Sequence, residues 1–197
     1  MTDAGVVKRE ELSDAIGLLR TLNVSYGGIT TTGLYRLFCT SPSMLTVVCR
    51  EQGRCVGIVV VELDRRWLRT HPFLAFQMLS RRLIRPGQSA TAPSAPPDLP
   101  AGTIYSPCPR EWRGPTARVL FVGVDEQYRG RRLAAAMYRE VFPQLAQRGR
   151  TELLIRIGAN NAPSLAHHLH AGWKLYFDGH VVTALTPVPQ AKMSAKS

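Results

Sequence analysis

Gln127-Tyr128-Arg129-Gly130-Arg131-Arg132-Leu133-Ala134 joins an apolar run at 117–124 to a run of helical character, Leu133–Gln147. A strand, a turn with one glycine and a helix start in succession make a corner of outward-pointing backbone N–H groups. The first N–H groups of a helix have no partner within it, and the aligned peptide dipoles add partial positive charge there. Such a corner suits a phosphate. Three arginines in the turn strengthen the bias towards an anion. A solvated basic loop has the same composition, so the stretch alone does not decide a ligand.

A second segment narrows the reading. Asn161-Ala162-Pro163-Ser164-Leu165-Ala166-His167-His168-Leu169-His170-Ala171-Gly172-Trp173 follows a second strand candidate at 152–157. Asn161 can cap a helix, Pro163 fits its first turn where no donor is needed, and Gly172 can end it.

The order strand, Gly-Arg turn, helix, strand, Asn-capped helix, Gly-aromatic resembles the GNAT acetyltransferase superfamily, whose members move an acyl group from coenzyme A to an amine. Gln127-x-x-Gly130 looks like the pyrophosphate signature Gln/Arg-x-x-Gly-x-Gly/Ala. Asn161-x-x-Ser164-x-x-x-His168-x-x-x-Gly172-Trp173 looks like the second motif. One position departs from the pattern: the second Gly/Ala of the first signature is Arg132. The resemblance covers residues 117–177 in motif and the remainder only in topology. It implies a mixed α/β fold with a mostly antiparallel central sheet flanked by helices, forming a single domain over 1–197.

The resemblance also implies roles. The strand at 117–124 would splay from its neighbour, with the backbone N–H groups of Val122 and Val124 holding the pantetheine arm and the thioester oxygen, as an oxyanion site does. Arg129, Gly130, Arg131, Arg132, Leu133 and Ala134 would bind the pyrophosphate, mainly through backbone N–H groups. Asn161 would contact the pantetheine or only cap the helix, and Ser164 shares its motif. His168 stands where many relatives place a Tyr that protonates the departing thiolate; an imidazole can donate that proton. Glu62, late in a strand, is a candidate base, with Asp125, Glu51 and Glu111 as weaker ones. Tyr26 is a candidate acceptor contact. Gly123 weakens regular pairing and suggests a bulge.

Composition bounds the alternatives. A chain of 197 residues with 45% hydrophobic residues can build one proper core. No apolar run approaches the roughly 18 to 20 residues that span a bilayer, and the start lacks a signal-like apolar stretch, so a cytoplasmic protein is expected. Cys39, Cys49, Cys55 and Cys108 show no C-x-x-C pair and no metal-like spacing with histidine, so neither a disulfide framework nor a metal is expected. The formal net charge of +11 exceeds what one coenzyme corner needs. No zinc finger, RNP-like strand or helix-turn-helix supports specific nucleic-acid binding. Expected partners are acetyl-CoA as co-substrate and a small-molecule amine; a homodimer and an acidic carrier protein stay open.

The first half reads as a short strand at 6–8, a helix at 10–22, a loop to residue 32 containing Tyr26-Gly27-Gly28, and a helix at 32–39. Two strands, Met44–Glu51 and 54–63, follow, joined at Gln52-Gly53 as a hairpin. Residues 65–115 form an insertion between the third and fourth strands: a basic helix candidate at 71–85, then seven prolines between 86 and 109 that favour an extended loop. Pro143 should disturb the last turns of the long helix, and the polar tail from 187 should fray. An acetyl transfer to an amino sugar or amino acid is the expected activity. The alternatives are longer acyl chains, an acyl carrier protein, or a basic module that keeps the fold without turnover.

Overall fold

The structure, a computed structural model, describes residues 3–24, 32–64, 66–70, 98–110 and 114–190. The helix expected over 71–85, most of the Pro-rich run, Tyr26, Glu111 and the end of the tail lie outside these residues.

Strands β1 (Asp3–Val6), β2 (Met44–Glu51), β3 (Arg54–Glu62), β4 (Thr116–Val124), β5 (Glu152–Gly158), β6 (Lys174–Phe177) and β7 (Val181–Pro187) form one sheet in the order β1-β2-β3-β4-β5-β7-β6. Only β4 and β5 pair in parallel; the other pairs are antiparallel. The β2–β3 hairpin turns on Gln52 and Gly53, with φ of 51° and 80°. Positive φ at both central residues is the turn whose twist matches that of the flanking strands.

Helices cover both faces. Helix α1 (Leu12–Thr21) buries Ala15, Leu18 and Leu19, and α2 (Thr32–Thr40) buries Leu34, Tyr35, Leu37 and Phe38, all against one face. These spacings of three and four residues are one stripe of a helix. A short α3 (Arg66–Thr70) sets Trp67 into the same layer. Helix α4 (Leu133–Gln147) packs Met137, Val141 and Leu145 on the opposite face, where Leu165 of α5 (Ala162–His170) joins the same core. Because both faces are covered, β3 is buried from Cys55 to Glu62 and reads as a continuous apolar run rather than an alternating one.

Several elements differ from the sequence reading. The first strand is Asp3–Val6, because its partners on β2 run from Arg50 to Val47. Strands β6 and β7 are absent from the sequence reading: β6 is only four residues long, with Leu175 and Phe177 buried, and β7 alternates but buries Val182, Ala184 and Thr186, two of them small or polar. The end of the insertion is tied down. Ile104 donates to the Leu175 carbonyl and accepts from the Phe177 N–H, which lays this segment along the β6 edge, with Tyr105 edge-on to Phe177 at 5.9 Å.

Helix α4 runs through Pro143 to Gln147, so the Arg139 carbonyl loses its i+4 donor. Pro143→Ala should restore that bond and raise unfolding stability by about 1 to 3 kcal/mol, read as a higher urea midpoint at unchanged slope.

Candidate active site

The site starts where β4 leaves β5. Pairing runs from Thr116 with Glu152 to Val119 with Ile155 and then stops, although β4 continues to Val124 and β5 to Gly158. Beyond that point β5 stays with β7, pairing Arg156 with Thr183 and Gly158 with Val181. On its other side β4 pairs with β3 through a bulge: Val60 faces Phe121 and Val61 faces Val119, leaving Leu120 as the extra residue. A bulge bends the strand that carries it and re-aims the residues beyond. It falls at Leu120, not at Gly123. Gly123 answers a different need, since a Cβ there would meet the Phe121 ring at 2.6 Å.

Backbone direction in the parting is fixed by one bond. Asp125 N–H donates to the Val56 carbonyl of β3 at 2.9 Å. Alternate residues of an antiparallel pair turn their N–H groups to the same partner. The Val124 and Val122 N–H groups therefore point away from β3, into the gap.

Above the gap lies the Gly-Arg turn. Asp125 caps a single 3-10 turn, Glu126–Tyr128, by accepting from the Gln127 N–H at 3.1 Å. Gly130 has φ of 80°, and Arg132 caps α4 in the left-handed region at φ 58°, ψ 25°. That is the position where the motif has Gly or Ala. A side chain there costs roughly 1 to 2 kcal/mol. The first helical bond is from Ala136 to the Arg132 carbonyl. Among the described residues, the six N–H groups from Gly130 to Ala135 donate to no backbone carbonyl. Two of the three arginines are directed elsewhere. Arg131 Nη1 reaches both Glu51 oxygens at 3.1 Å and lies 5.1 Å over the Tyr128 ring, while Arg129 sits 3.6 Å from Glu126. Arg131 thus straps the turn to the β2–β3 hairpin.

On α5, Asn161 accepts from the Ser164 N–H at 3.2 Å, which leaves its amide nitrogen to donate elsewhere. His168 lies inward. It is 1% exposed, its Nδ1 is 2.7 Å from the Ser164 carbonyl and its Nε2 is 3.1 Å from the Tyr138 hydroxyl. Burial raises the Tyr138 pKa, so the phenol keeps its proton and donates to Nε2; Nδ1–H then donates to Ser164. Burial also lowers His168 to about 4. Trp173 packs against its ring at 4.8 Å between centroids. In place of the proton donor expected from sequence, the structure holds a neutral imidazole with both nitrogens engaged.

The opposite face of the sheet, on the α1 and α2 side, opens into a cleft of about 820 Å³ bounded by β4, β5, β7 and the end of the insertion. Glu62 does not reach it. Its side chain is wholly buried, Oε1 accepts from Trp67 Nε1 at 2.7 Å, and Oε2 accepts from the Arg118 guanidinium. The cleft wall there carries Arg118 instead of the expected base. Asp64, Arg150, Arg156 and Asp178 also line the cleft. Burial acts to raise the Asp64 pKa, but the Ser43 hydroxyl and Arg66 N–H outweigh it and hold the carboxyl below its usual range. The Val181 N–H does the same for Asp178. Sequence reasoning passed over Arg118 and Arg156, although a charge at an alternate position inside an apolar strand was the available signal. Among the described residues, no group of three His, Cys, Asp or Glu side chains is placed to hold a metal, and no helix is long and apolar enough to cross a membrane.

The Acetyltransferase (GNAT) family model matches residues 16–173, and the chain belongs to that family. Solved structures show the same fold at low identity. The ribosomal-protein-S18-alanine N-acetyltransferase of Escherichia coli is similar at 12% identity and a TM-score of 0.58, with 100% of each chain covered. A GNAT acetyltransferase from Streptococcus pneumoniae is similar at 10% identity and a TM-score of 0.60, covering 96% of this chain and 100% of the other. The PaiA N-acetyltransferase of Thermoplasma acidophilum, solved in complex with coenzyme A, is similar at 10% and 0.55, covering 95% and 99%. No curated protein matches the chain in sequence.

Two stability measurements test these placements. The neutral His168 contributes fully above its ordinary pKa of 6.5, and that contribution is lost as pH falls through about 4. Urea titrations should show up to about 3 kcal/mol lost across that window from His168, and His168→Gln should remove most of the loss, leaving the smaller part due to His167, whose pKa burial also lowers. The lowered carboxyls Glu11, Asp64 and Asp178 act only below their ordinary values of 4.5 or 3.8, so their effect falls later. Glu62→Ala should cost about 3 to 5 kcal/mol by chemical denaturation, because it removes a wholly buried carboxylate that pairs with Arg118 and accepts from Trp67.

Proposed function

We propose that the protein transfers an acyl group, acetyl above all, from its coenzyme A thioester to the amine of a small molecule. The observation that carries this is the alignment of two donor sets: six unpaired N–H groups at the Gly-Arg corner, and the Val122 and Val124 N–H groups in the gap that leads from it. The corner suits the diphosphate, gripped through the backbone of residues 129–134. The gap suits the pantetheine arm, whose amides would pair with the β4 edge and with Asn161 beside Ser164. The thioester oxygen would then accept from β4, where charge develops as the amine attacks. The cleft reaches the start of the gap at Arg156 on the opposite face, the side from which the amine would come.

In the transfer, the amine nitrogen forms a bond to the carbonyl carbon, the carbon–sulfur bond breaks, and the proton shed by nitrogen ends on the thiol. Since His168 and Glu62 are engaged inside the fold, water in the cleft carries that proton. Glu62 acts as a positioning residue that holds Arg118 at the cleft wall. His168 keeps the start of α5 against α4.

The burial of those two groups also favours a second reading, a GNAT-fold module that binds coenzyme A without turnover. Thiol release from acetyl-CoA with a panel of amines separates the two. Turnover supports the enzyme, and saturable binding with no thiol release supports the module. If calorimetry detects no coenzyme A binding and desulfo-coenzyme A does not compete, both fail. Arg132→Glu should weaken coenzyme A about tenfold or more, since it sets a negative charge at the diphosphate corner.

A further inference from the structure

Residues 104–110 of the insertion are pinned at two distant points of the sheet. Ile104 bridges Tyr176 on the β6 edge, and Tyr176 shares a cross-strand row with Thr183 of β7 and Arg156 of β5. Tyr105 sets its ring edge-on to Phe177, one residue further along β6. The second pin is Arg110, whose Nε lies 2.9 Å from Oε1 of Glu152, while Oε2 of the same carboxylate accepts from Thr116 on β4. Glu152 stands before Arg156 on β5, roughly 13 Å back at the rise of a strand, and β5 lies two strands in from the β6 edge. The chain between the pins therefore crosses β7 and β5 on a diagonal. It crosses on the cleft side, since Pro107, Cys108 and Arg110 line the same cleft as Leu154, Arg156 and Thr183.

Every residue of 104–110 is exposed except Cys108, which is half-buried. A covered side chain in an otherwise exposed strap is turned towards what the strap covers. Burial raises the Cys108 pKa above the ordinary thiol value, so near neutral pH it is an uncharged wall group and not a nucleophile. A passage whose roof is fixed at both ends selects by size, and one methylene too many in such a site costs about tenfold to two-hundredfold in kcat/KM. We propose that residues 104–110 form the acceptor-selecting wall of the cleft, with Cys108 as the side chain that limits the acceptor's bulk. The acceptor brings its amine to the start of the gap at Arg156, and its body lies back along Leu154 under the strap. This assignment rests on the acyltransferase reading, because it takes the cleft as the acceptor's side of the sheet.

The test is a panel of primary amines graded by bulk, ethylamine to tryptamine and glycine to tryptophan, assayed with acetyl-CoA. The readout is the ratio of kcat/KM for the bulkiest and the slimmest amines turned over, or the amine KM where a single amine reacts. Cys108→Trp narrows the passage and should lower that ratio, or raise that KM, about tenfold or more. Cys108→Ala should move it the other way. The KM for acetyl-CoA should keep its wild-type value in both variants, a split that a general loosening of the fold would not produce. Amine selectivity unchanged in both variants, or an equal change for every amine and for acetyl-CoA, overturns the proposal and leaves the acyltransferase reading standing. If Cys108→Trp fails to fold, as read from its urea midpoint, Cys108→Ala decides alone. Wild-type protein that releases no thiol with any amine sinks the acyltransferase reading, and this assignment falls with it.

Discussion

Two neighbouring strands that pair for four residues and then separate govern the rest of this molecule. A parallel pair that ran on would satisfy its own N–H and C=O groups and close the sheet. Here β5 keeps its antiparallel partner β7 to the end, while β4 keeps β3, and the Leu120 bulge turns β4 as the pairing with β5 ends. The backbone groups so released are too polar to be left without partners at low cost. They line a parting with donors on one wall and the Gly-Arg corner at one end, and the cleft on the opposite face comes up to its start at Arg156.

The corner is made by conformation more than by charge. Arg129 and Arg131 lean on Glu126 and Glu51, so the turn's net bias towards an anion comes mainly from the six unpaired N–H groups and the α4 dipole. Arg132 occupies a left-handed position that glycine would fill without strain. The turn is held in that shape by Asp125 beneath it and by the Arg131 strap to the hairpin.

Two polar side chains that resembled chemical groups in the sequence serve the interior instead. Buried charge and buried imidazole are tolerated only with full hydrogen bonding. Glu62 meets that condition with Trp67 and Arg118; His168 meets it with Tyr138 and Ser164. Both sit one layer behind the surfaces where a reacting amine or thiol would stand. What the cleft itself presents is arginine, set beside Asp64 and Asp178, whose donors among the described residues all end on one carboxylate oxygen, Oδ1.

The local pattern of residues was enough for the elements whose signals are local. The helical spacing of α1, the Gln52-Gly53 turn, the Asn161 cap, the glycine corner and the order of the first five strands with α1, α2, α4 and α5 could all be read directly, because each depends on neighbours within a few residues. Strand β7 escaped because two of its three buried positions are small or polar and owe their place to β5, and β6 escaped because four residues pairing only with β7 are too short a local signal. The bulge at Leu120 was misplaced to Gly123 because a bulge belongs to a pair of strands, and its partner lies some sixty residues earlier. The burial of Glu62 and His168, and the meeting of Arg118, Arg150 and Arg156 around one cleft, are long-range facts of the same kind. A sequence states which groups exist and which turns they favour; only packing between distant segments decides which of them face water, a ligand or each other.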